Sequence, residues 1–501
     1  MDIVANLSLG FSISLTLYNL AFCFIGVLLG TAIGVLPGLG PLATISMLLP
    51  LTYTLEPVSS LIMLAGIYYG AQYGGSTTAI LVNLPGESSS VVTTLDGHKM
   101  ALKGRAGAAL AIAALASVFA GTISTAAVAA FSPLLASVAF SFGAPEYFSL
   151  MVMGLVAAVI LAHGSLIKAI GMVLVGLILG CVGIDTNSGV YRFTFGMLEL
   201  GSGLEFVALA MGVFAFADII ANVAEKTTGA PIINKITSLW PSRKELRDAA
   251  PAAARGTLIG SVLGILPGGG AALASFAAYT IEKRVSKTPE EFGQGAVQGV
   301  AGPEAANNAA AQTAFVPMLT LGIPSNGVMA LMMGAMMINN ISPGPQVMTT
   351  NPDIFWALIT SMWIGNVMLV VLNLPMVGLW VKLISVPYRF LYPAILVFCV
   401  IGLFSIQNQT FEIYTAALFG LFGYLLMRMK CEPAPLLLGF VLGPMLEVNL
   451  RRTLLLSRGD PIVLLTHPIS AAMLAIAVLL LLTVILPQIR KKREEVFTEE
   501  D

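Results

Sequence analysis

The segment GVLLGTAIGVLPGLGPLATISMLLP (residues 26–50) recurs later in the chain as GTLIGSVLGILPGGGAALASFAAYT (residues 256–280). Glycines four residues apart form a smooth face for close helix packing, and Pro followed by Gly interrupts a helix. The matched positions are Gly26, Gly30, Gly34, Pro37, Gly38 and Gly40 with Gly256, Gly260, Gly264, Pro267, Gly268 and Gly270. The chain is therefore predicted to be a tandem duplication with one broken apolar segment in each copy.

A second element repeats more loosely. The stretch ILVNLPG (residues 80–86) corresponds to LTLGIPS (residues 319–325). We expect the first repeat to span residues 1–225 and the second to span residues 226–486. Residues 487–501 form a charged tail that is predicted to be cytoplasmic.

The composition indicates a membrane protein. Hydrophobic residues make up 57% of the chain, charged residues make up 10%, and the mean hydropathy is +0.89. A soluble domain carries roughly 25% charged residues. Apolar runs near the length of about 20 residues that crosses a bilayer occupy residues 106–131, 166–182, 354–381 and 469–486. The predicted fold is an all-α polytopic protein of about 10–12 membrane segments in contact with lipid. No basic patch suggests a nucleic-acid partner.

The placement of basic residues predicts that the two repeats have opposite orientation. The loop LDGHKMALKGR (residues 95–105) is basic, whereas its counterpart INNISPGPQVMTTNPD (residues 338–353) contains no Lys or Arg. The positive-inside rule assigns the first loop to the cytoplasm and the second to the outside. Inverted repeats of this kind are typical of secondary transporters.

Basic residues also lie on both sides of residues 256–282. A re-entrant hairpin would place both flanks on one side, since each arm of about 12 residues reaches about 18 Å. By inversion, residues 26–50 would form a hairpin that enters from the outside. A single broken crossing helix, with one basic cluster against the rule, is the alternative.

The broken segments and the polar residues near them are the candidate substrate site, because irregular backbone inside a membrane has to line a cavity or be buried in protein. Amides and hydroxyls clustered beside such breaks are typical of a transport pathway. The first predicted wall consists of Pro37, Gly38, Leu39, Gly40, Ser76, Thr77, Thr78, Asn83, Pro85 and Gly86, with Glu87 at its end. The second consists of Pro267, Gly268, Gly269, Gly270, Asn307, Asn308, Thr320, Gly322, Pro324, Ser325 and Asn326.

Residues 1–98 and 288–381 contain no Lys or Arg. An anion at these motifs would be held by helix ends, hydroxyls and amides, assisted by a bound cation. Oxygen ligands suit hard cations. The candidate sodium site lies near Gly38, Asn83, Gly268, Asn308 and Thr320. No other cofactor is expected, and no certain metal site is predicted.

Catalytic signatures such as Walker A, HExxH and GxSxG are absent from the sequence, so no catalytic residue is predicted and the chain is not expected to be an enzyme. Transport is the leading function. A passive channel and a membrane-embedded enzyme are the alternatives.

Several long motifs resemble the large membrane subunit of the bacterial tripartite tricarboxylate transporters. They are GVLPGLGP (residues 34–41), YYGAQYGGSTTAILVNLPGE (68–87), LDGHKMALKGRAG (95–107), LPGGGAALASFAAYTIEK (266–283), PEAANNAAAQTAF (303–315) and LTLGIPSNGVMALMMGA (319–335). The resemblance implies uptake of a di- or tricarboxylate by proton or sodium symport across the bacterial inner membrane. It also implies a periplasmic substrate-binding protein and a small four-helix membrane subunit as partners.

Overall fold

The computed structural model describes residues 3–36, 40–84, 86–162, 165–185, 188–224, 239–266, 270–384 and 388–485, which are mostly α-helical. Two short strands, β1 (Gly183–Ile184) and β2 (Tyr191–Arg192), pair in an antiparallel ribbon. The helices before residue 225 are α1 (Ile3–Ser14), α2 (Leu17–Gly34), α3 (Pro41–Thr52), α4 (Pro57–Val82), α5 (Val91–Thr93), α6 (Ala106–Ala139), α7 (Ala144–Leu161), α8 (Leu166–Gly180), α9 (Phe206–Ala210) and α10 (Ala217–Ala224).

The later helices complete the bundle. They are α11 (Arg243–Ile265), α12 (Gly270–Val285), α13 (Gln298–Thr313), α14 (Phe315–Leu321), α15 (Gly327–Ile338), α16 (Val347–Thr350), α17 (Pro352–Asn373), α18 (Val377–Ile384), α19 (Tyr388–Gln407), α20 (Phe411–Arg428), α21 (Ala434–Leu456), α22 (Val463–Thr466) and α23 (Pro468–Ile485). Short 3-10 turns occur at Ser88–Ser90 and Pro289–Glu291, and π-helical turns at Thr94–His98, Ala101–Arg105 and Met211–Phe216. The prediction of an all-α membrane protein is confirmed at this level.

Four helices in the described part of the chain, namely α2, α6 with its preceding π-helical turn, α17 and α21, are long and apolar enough to cross a membrane. Shorter apolar helices of 10–17 residues, including α1, α3, α8 and α15, accompany them. The apolar run at residues 354–381 is divided between α17 and α18. Pro375 lies between these helices, and a Pro has no backbone N–H to continue the helical hydrogen bonds.

The centre of the bundle is formed by α4, α13 and α15. Nearly every residue of these helices is buried, although α13 carries several polar side chains. The large side chains of Tyr68, Tyr69, Phe315 and Trp356 are fully buried there and on the adjoining α14 and α17. The polar residues of α4 and α13 therefore lie in the middle of the protein.

Helix pairing is the same at both copies of the glycine motif. The glycines of α2 face backbone carbonyl groups of α4: Gly26 against Met63, Gly30 against Ile67 and Gly34 against Ala71. The glycines of α11 face those of α13: Gly256 against Gly302, Gly260 against Ala306 and Gly264 against Ala310. A Cβ atom at any of these glycines would overlap the facing carbonyl oxygen. The matching contacts of the two glycine faces support a duplication. The boundaries of the two repeats stay a prediction.

The looser repeat also has matching backbone geometry. Helix α4 ends at Asn83 with φ 57° and ψ 28°, and α14 ends at Gly322 with φ 70° and ψ 29°. Both residues are in the left-handed conformation that closes many helices. A new turn or helix begins a few residues later in each copy, after Glu87 and Asn326 respectively.

The second broken segment doubles back on itself. The guanidinium of Arg255 in α11 donates two hydrogen bonds to Glu282 near the end of α12, at 2.6 and 2.7 Å. Residues 267–269, which join the two helices, lie outside the described residues. The two helices are thus antiparallel arms of a hairpin. Its re-entrant position in a membrane stays a prediction.

Loops from both copies meet at one end of the bundle. The buried Asp96 carboxylate accepts hydrogen bonds from the backbone N–H groups of Gly293, Gly295 and Ala296 at 2.7–2.9 Å. The side chain of Arg105 forms an ion pair with Glu245, just inside the start of α11. The basic loop at residues 95–105 therefore contacts both flanks of the α11–α12 hairpin.

The arginine at position 451 lies in a network of opposite charges. Arg451 donates to Asp185 at 2.9 and 3.1 Å and to Glu447. Glu447 also accepts two hydrogen bonds from Arg192 of β2, and this pairing raises the pKa of the Arg192 guanidinium. The network joins the end of α21 to the loop after α8.

Candidate functional site

A cavity of about 350 Å³ lies where the two copies of the broken segment meet. The starts of three helices reach it: Gly40 and Pro41 at α3, Gly270 at α12, and Asn326 and Gly327 at α15. Its volume is in the usual range for small-molecule sites, about 300–1,000 Å³. Residues from both copies thus contribute to one site.

The backbone at these helix starts is arranged to receive negative charge. The first turn of a helix has N–H groups without intrahelical partners, which carry partial positive charge. Asn326 caps α15 by accepting a hydrogen bond from the Met329 N–H at 2.9 Å, and Gly270 begins α12 with φ +48°. The first turns of three helices thus lie at the cavity, which favours an anionic ligand.

The charged side chains that line the cavity are acidic. Glu87 and Glu432 contribute to the lining, and the described lining includes no Lys or Arg. Tyr68 and Gln72 of α4 add a phenol and an amide. An anion in this cavity would therefore be attracted by the helix starts and repelled by the carboxylates.

Of the first predicted wall, Gly40 lines the cavity. The hydroxyls of Thr77 and Thr78 donate to backbone carbonyls one turn earlier in α4, at 3.2 and 2.9 Å, and Ser76 lies on the same helix close to Glu304. Asn83 is exposed at the end of α4. Gly86 is buried and packs closely against Gly75. Pro37, Gly38, Leu39 and Pro85 lie outside the described residues.

Of the second predicted wall, Gly270 and Asn326 line the cavity. Asn307 reaches it indirectly, because its amide Nδ2 donates to Glu87 at 3.4 Å. Gly322 ends α14, and Pro324 and Ser325 are buried in the turn before α15, where Ser325 donates to the Ala314 carbonyl. Pro267, Gly268 and Gly269 lie outside the described residues.

The side chains of the described members of the candidate sodium site, Asn83, Asn308 and Thr320, are engaged elsewhere in the protein or exposed. Asn308 donates to the Ser117 hydroxyl at 2.7 Å and to the Glu304 carbonyl at 3.1 Å. Thr320 donates to the Val316 carbonyl of its own helix at 2.7 Å. Asn83 is at the exposed end of α4. This sodium site stays a prediction, because Gly38 and Gly268 lie outside the described residues.

Several lining residues were not in the predicted walls. Tyr68 and Gln72 lie within the polar stretch of α4, where the amide at helix depth was a usable signal. Leu42, Phe276 and Glu432 also line the cavity. Glu432 follows α20 far along the chain and belongs to neither repeated motif, so only the folded structure brings it to the site.

An apolar helical bundle around a cavity with polar groups from both copies is the architecture of a membrane transport protein. Sequence comparison identifies the family: residues 20–438 match the tripartite tricarboxylate transporter TctA family, and the chain belongs to it. It is therefore a membrane component of a tricarboxylate transporter. Membership in a tripartite family implies partner subunits.

Two relatives are proteins of Agrobacterium vitis. An uncharacterized 52.8 kDa protein in the TAR-I ttuC' 3' region is 58% identical over 501 residues, which is 100% of both chains. An uncharacterized protein in the TAR-II ttuC' 3' region is 57% identical over 242 residues, covering 48% of this chain and 100% of that protein. No solved structure matches.

Proposed function

We propose that the chain imports a di- or tricarboxylate across the bacterial inner membrane by symport with a proton or sodium ion. A periplasmic binding protein delivers the carboxylate, and a small four-helix membrane subunit accompanies this chain. The C-terminal tail lies in the cytoplasm. Family membership supports the tricarboxylate class and the presence of partner subunits; the direction, coupling and partner identities are the proposal.

The observation that carries the proposal is the convergence of three helix starts on one cavity. Helices α3, α12 and α15 begin at Gly40, Gly270 and Asn326, and all three residues line the same space. Each helix start contributes partial positive charge, so separate carboxylate groups of one substrate can each meet a different helix. This arrangement favours a polycarboxylate over a neutral solute.

The acidic lining supports coupling to a cation. Glu87 faces the same cavity as the helix starts, and two like charges in a poorly hydrated site repel strongly. A proton or metal cation that neutralises the carboxylate would remove this penalty. Substrate and cation would then favour each other's binding, which is the thermodynamic basis of symport.

Uptake of a labelled tricarboxylate into proteoliposomes tests this function. The vesicles contain the full chain with its small subunit, and the binding protein is supplied outside. We expect accumulation above the external concentration when an inward ion gradient is imposed, and equilibration only when ionophores collapse it. Concentration of substrate after collapse would contradict symport, and gradient-independent equilibration under all conditions would indicate a passive channel.

A further inference from the structure

A buried polar cluster behind the cavity has oxygen atoms without hydrogen-bond partners. Among the described residues, these atoms are Gln72 Oε1, Glu304 Oε2 and Asn307 Oδ1. The three side chains are almost inaccessible, with exposed fractions of 3%, 1% and 1%. A buried polar atom that lacks a partner is costly, so a ligand bound to these oxygens would stabilise the site.

Contacts connect these residues to one another. Glu304 and Asn307 are three residues apart on α13, and Gln72 and Ser76 are four apart on α4, so each pair shares a helix face. Ser76 lies close to the Glu304 carboxylate. Asn307 donates its amide N–H to Glu87 at 3.4 Å, and its amide oxygen has no resolved hydrogen-bond partner. The cluster is thus formed between α4, α13 and the turn that begins at Glu87.

The cluster has two carboxylates: Glu304 is on α13, and Glu87 accepts a hydrogen bond from Asn307, three residues further along the same helix. Their resolved hydrogen bonds come from neutral groups: Ser89 and Asn307 donate to Glu87, and Thr93 donates to Glu304. No ion pair with a basic residue is resolved for either carboxylate within the described part of the chain. Carboxylates with little access to water and no opposite charge are unstable, so a cation bound here would stabilise the pair.

The type of neutralising ion follows from the unused atoms. An amide oxygen does not take up a proton at neutral pH, yet it is a good ligand for a hard metal cation. Within the described residues, no group of three or more His, Cys, Asp and Glu side chains has the arrangement of a metal centre. Carboxylate and amide oxygens together suit a hard metal cation such as sodium.

We infer that Glu87, Glu304, Asn307 and Gln72 form a sodium-binding site directly behind the carboxylate cavity. Glu87 and Gln72 also line that cavity, so the ion would lie between the substrate and the buried Glu304. The role of this ion in coupling rests on the proposed function. Binding of the ion to the protein is independent of that proposal. The site differs from the sodium site predicted at the helix breaks, and it uses side chains rather than the interrupted backbone.

Thermal unfolding of the purified full chain in detergent, without substrate, tests the binding. Sodium chloride is titrated at constant ionic strength against N-methyl-D-glucamine chloride, at several pH values. We expect sodium to raise the Tm of the wild type, since an ion that binds only the folded state stabilises it. The sodium-dependent rise should be lost in Glu304→Gln. It should be preserved in Glu412→Gln, which alters another buried carboxylate, on α20, with an oxygen that has no resolved partner.

Two further variants keep the test decisive if Glu304→Gln does not fold. Gln72→Met and Asn307→Ala remove amide oxygens without changing a charge, and both should weaken the apparent sodium affinity. An equal sodium response in wild type and all three site variants would overturn the inference. So would a wild-type Tm that responds to pH but not to sodium, since that result would indicate protonated carboxylates. Failure of carboxylate uptake with an intact sodium response would contradict the transport proposal alone.

Discussion

At the level of single residues, Asn326 has two roles. Its side chain caps α15 by accepting the Met329 N–H, and it also lines the cavity. The corresponding position in the first copy is Glu87, which caps the turn Ser88–Ser90 and lines the same cavity. One copy thus supplies a neutral cap and the other an acidic one, so the duplicated site is chemically asymmetric.

Replacement of Asn326 separates capping from substrate binding. Asn326→Ala should lower the free energy of unfolding by about 1 kcal/mol, the usual cost of a lost N-cap. Asn326→Ser retains a capping oxygen and should keep nearly wild-type stability. Both variants should bind carboxylate more weakly, because the amide is removed from the cavity. Thermal unfolding and carboxylate titration measure the two effects, and wild-type carboxylate affinity in both variants would place Asn326 outside the site.

Some of these residues could be predicted from sequence and others could not. Gly40 and Gly270 are the last residues of the two helix-breaking motifs. Irregular backbone inside a membrane has to line a cavity or be buried in protein, so both glycines could be predicted as site residues. Thr77, Thr78 and Thr320 have polar side chains but hydrogen-bond their own helices, a common behaviour of membrane hydroxyls. Glu432 reaches the cavity because helices distant in sequence pack together. A local sequence motif does not reveal such packing, so Glu432 could not be predicted.

At the level of elements, the glycine faces determine how each broken segment is held. Three glycines of α2 and three of α11 bring backbone against backbone on α4 and α13. In a membrane, such close packing is a principal source of helix association, because lipid removes most of the hydrophobic driving force. The broken helices are therefore positioned by their glycine faces rather than by large interlocking side chains.

Alanine substitutions test the importance of this contact. Gly30→Ala and Gly260→Ala would each push a Cβ into a backbone carbonyl, so we expect losses of about 1–3 kcal/mol, as for overpacked cores. Gly171→Ala is the matched control. Gly171 is also within a helix, but a Cβ there meets no atom within 4 Å. Thermal unfolding of the three variants measures this, and equal stability of all three would contradict a packing role.

At the level of the whole molecule, the basic loops gather at one end. Asp96 and Arg105 connect the loop at residues 95–105 to both flanks of the α11–α12 hairpin. The positive-inside rule predicts that these regions lie on one side of the membrane. Their contact agrees with that prediction, and the membrane side itself stays a prediction. The arginine network at Arg451 was not anticipated, because its partners Asp185 and Glu447 come from separate loops and helices.

Single cysteines test this arrangement in a background from which Cys23, Cys181, Cys399 and Cys431 have been removed. A membrane-impermeant maleimide is applied to intact cells. We expect cysteines at the exposed positions 103, 244 and 287 to be protected from outside, and a cysteine at exposed position 349 to react. Reaction at only one of positions 244 and 287 would show that the segment between them crosses the membrane.

In the proposed binding mode, both copies hold one carboxylate substrate between their helix starts. A cryo-electron microscopy structure of the chain with a tricarboxylate and sodium tests it most directly. We expect substrate density beside Gly40, Gly270 and Asn326, with an ion next to Glu87 and Asn307. Substrate bound at another location, with this cavity empty or filled by lipid, would contradict it.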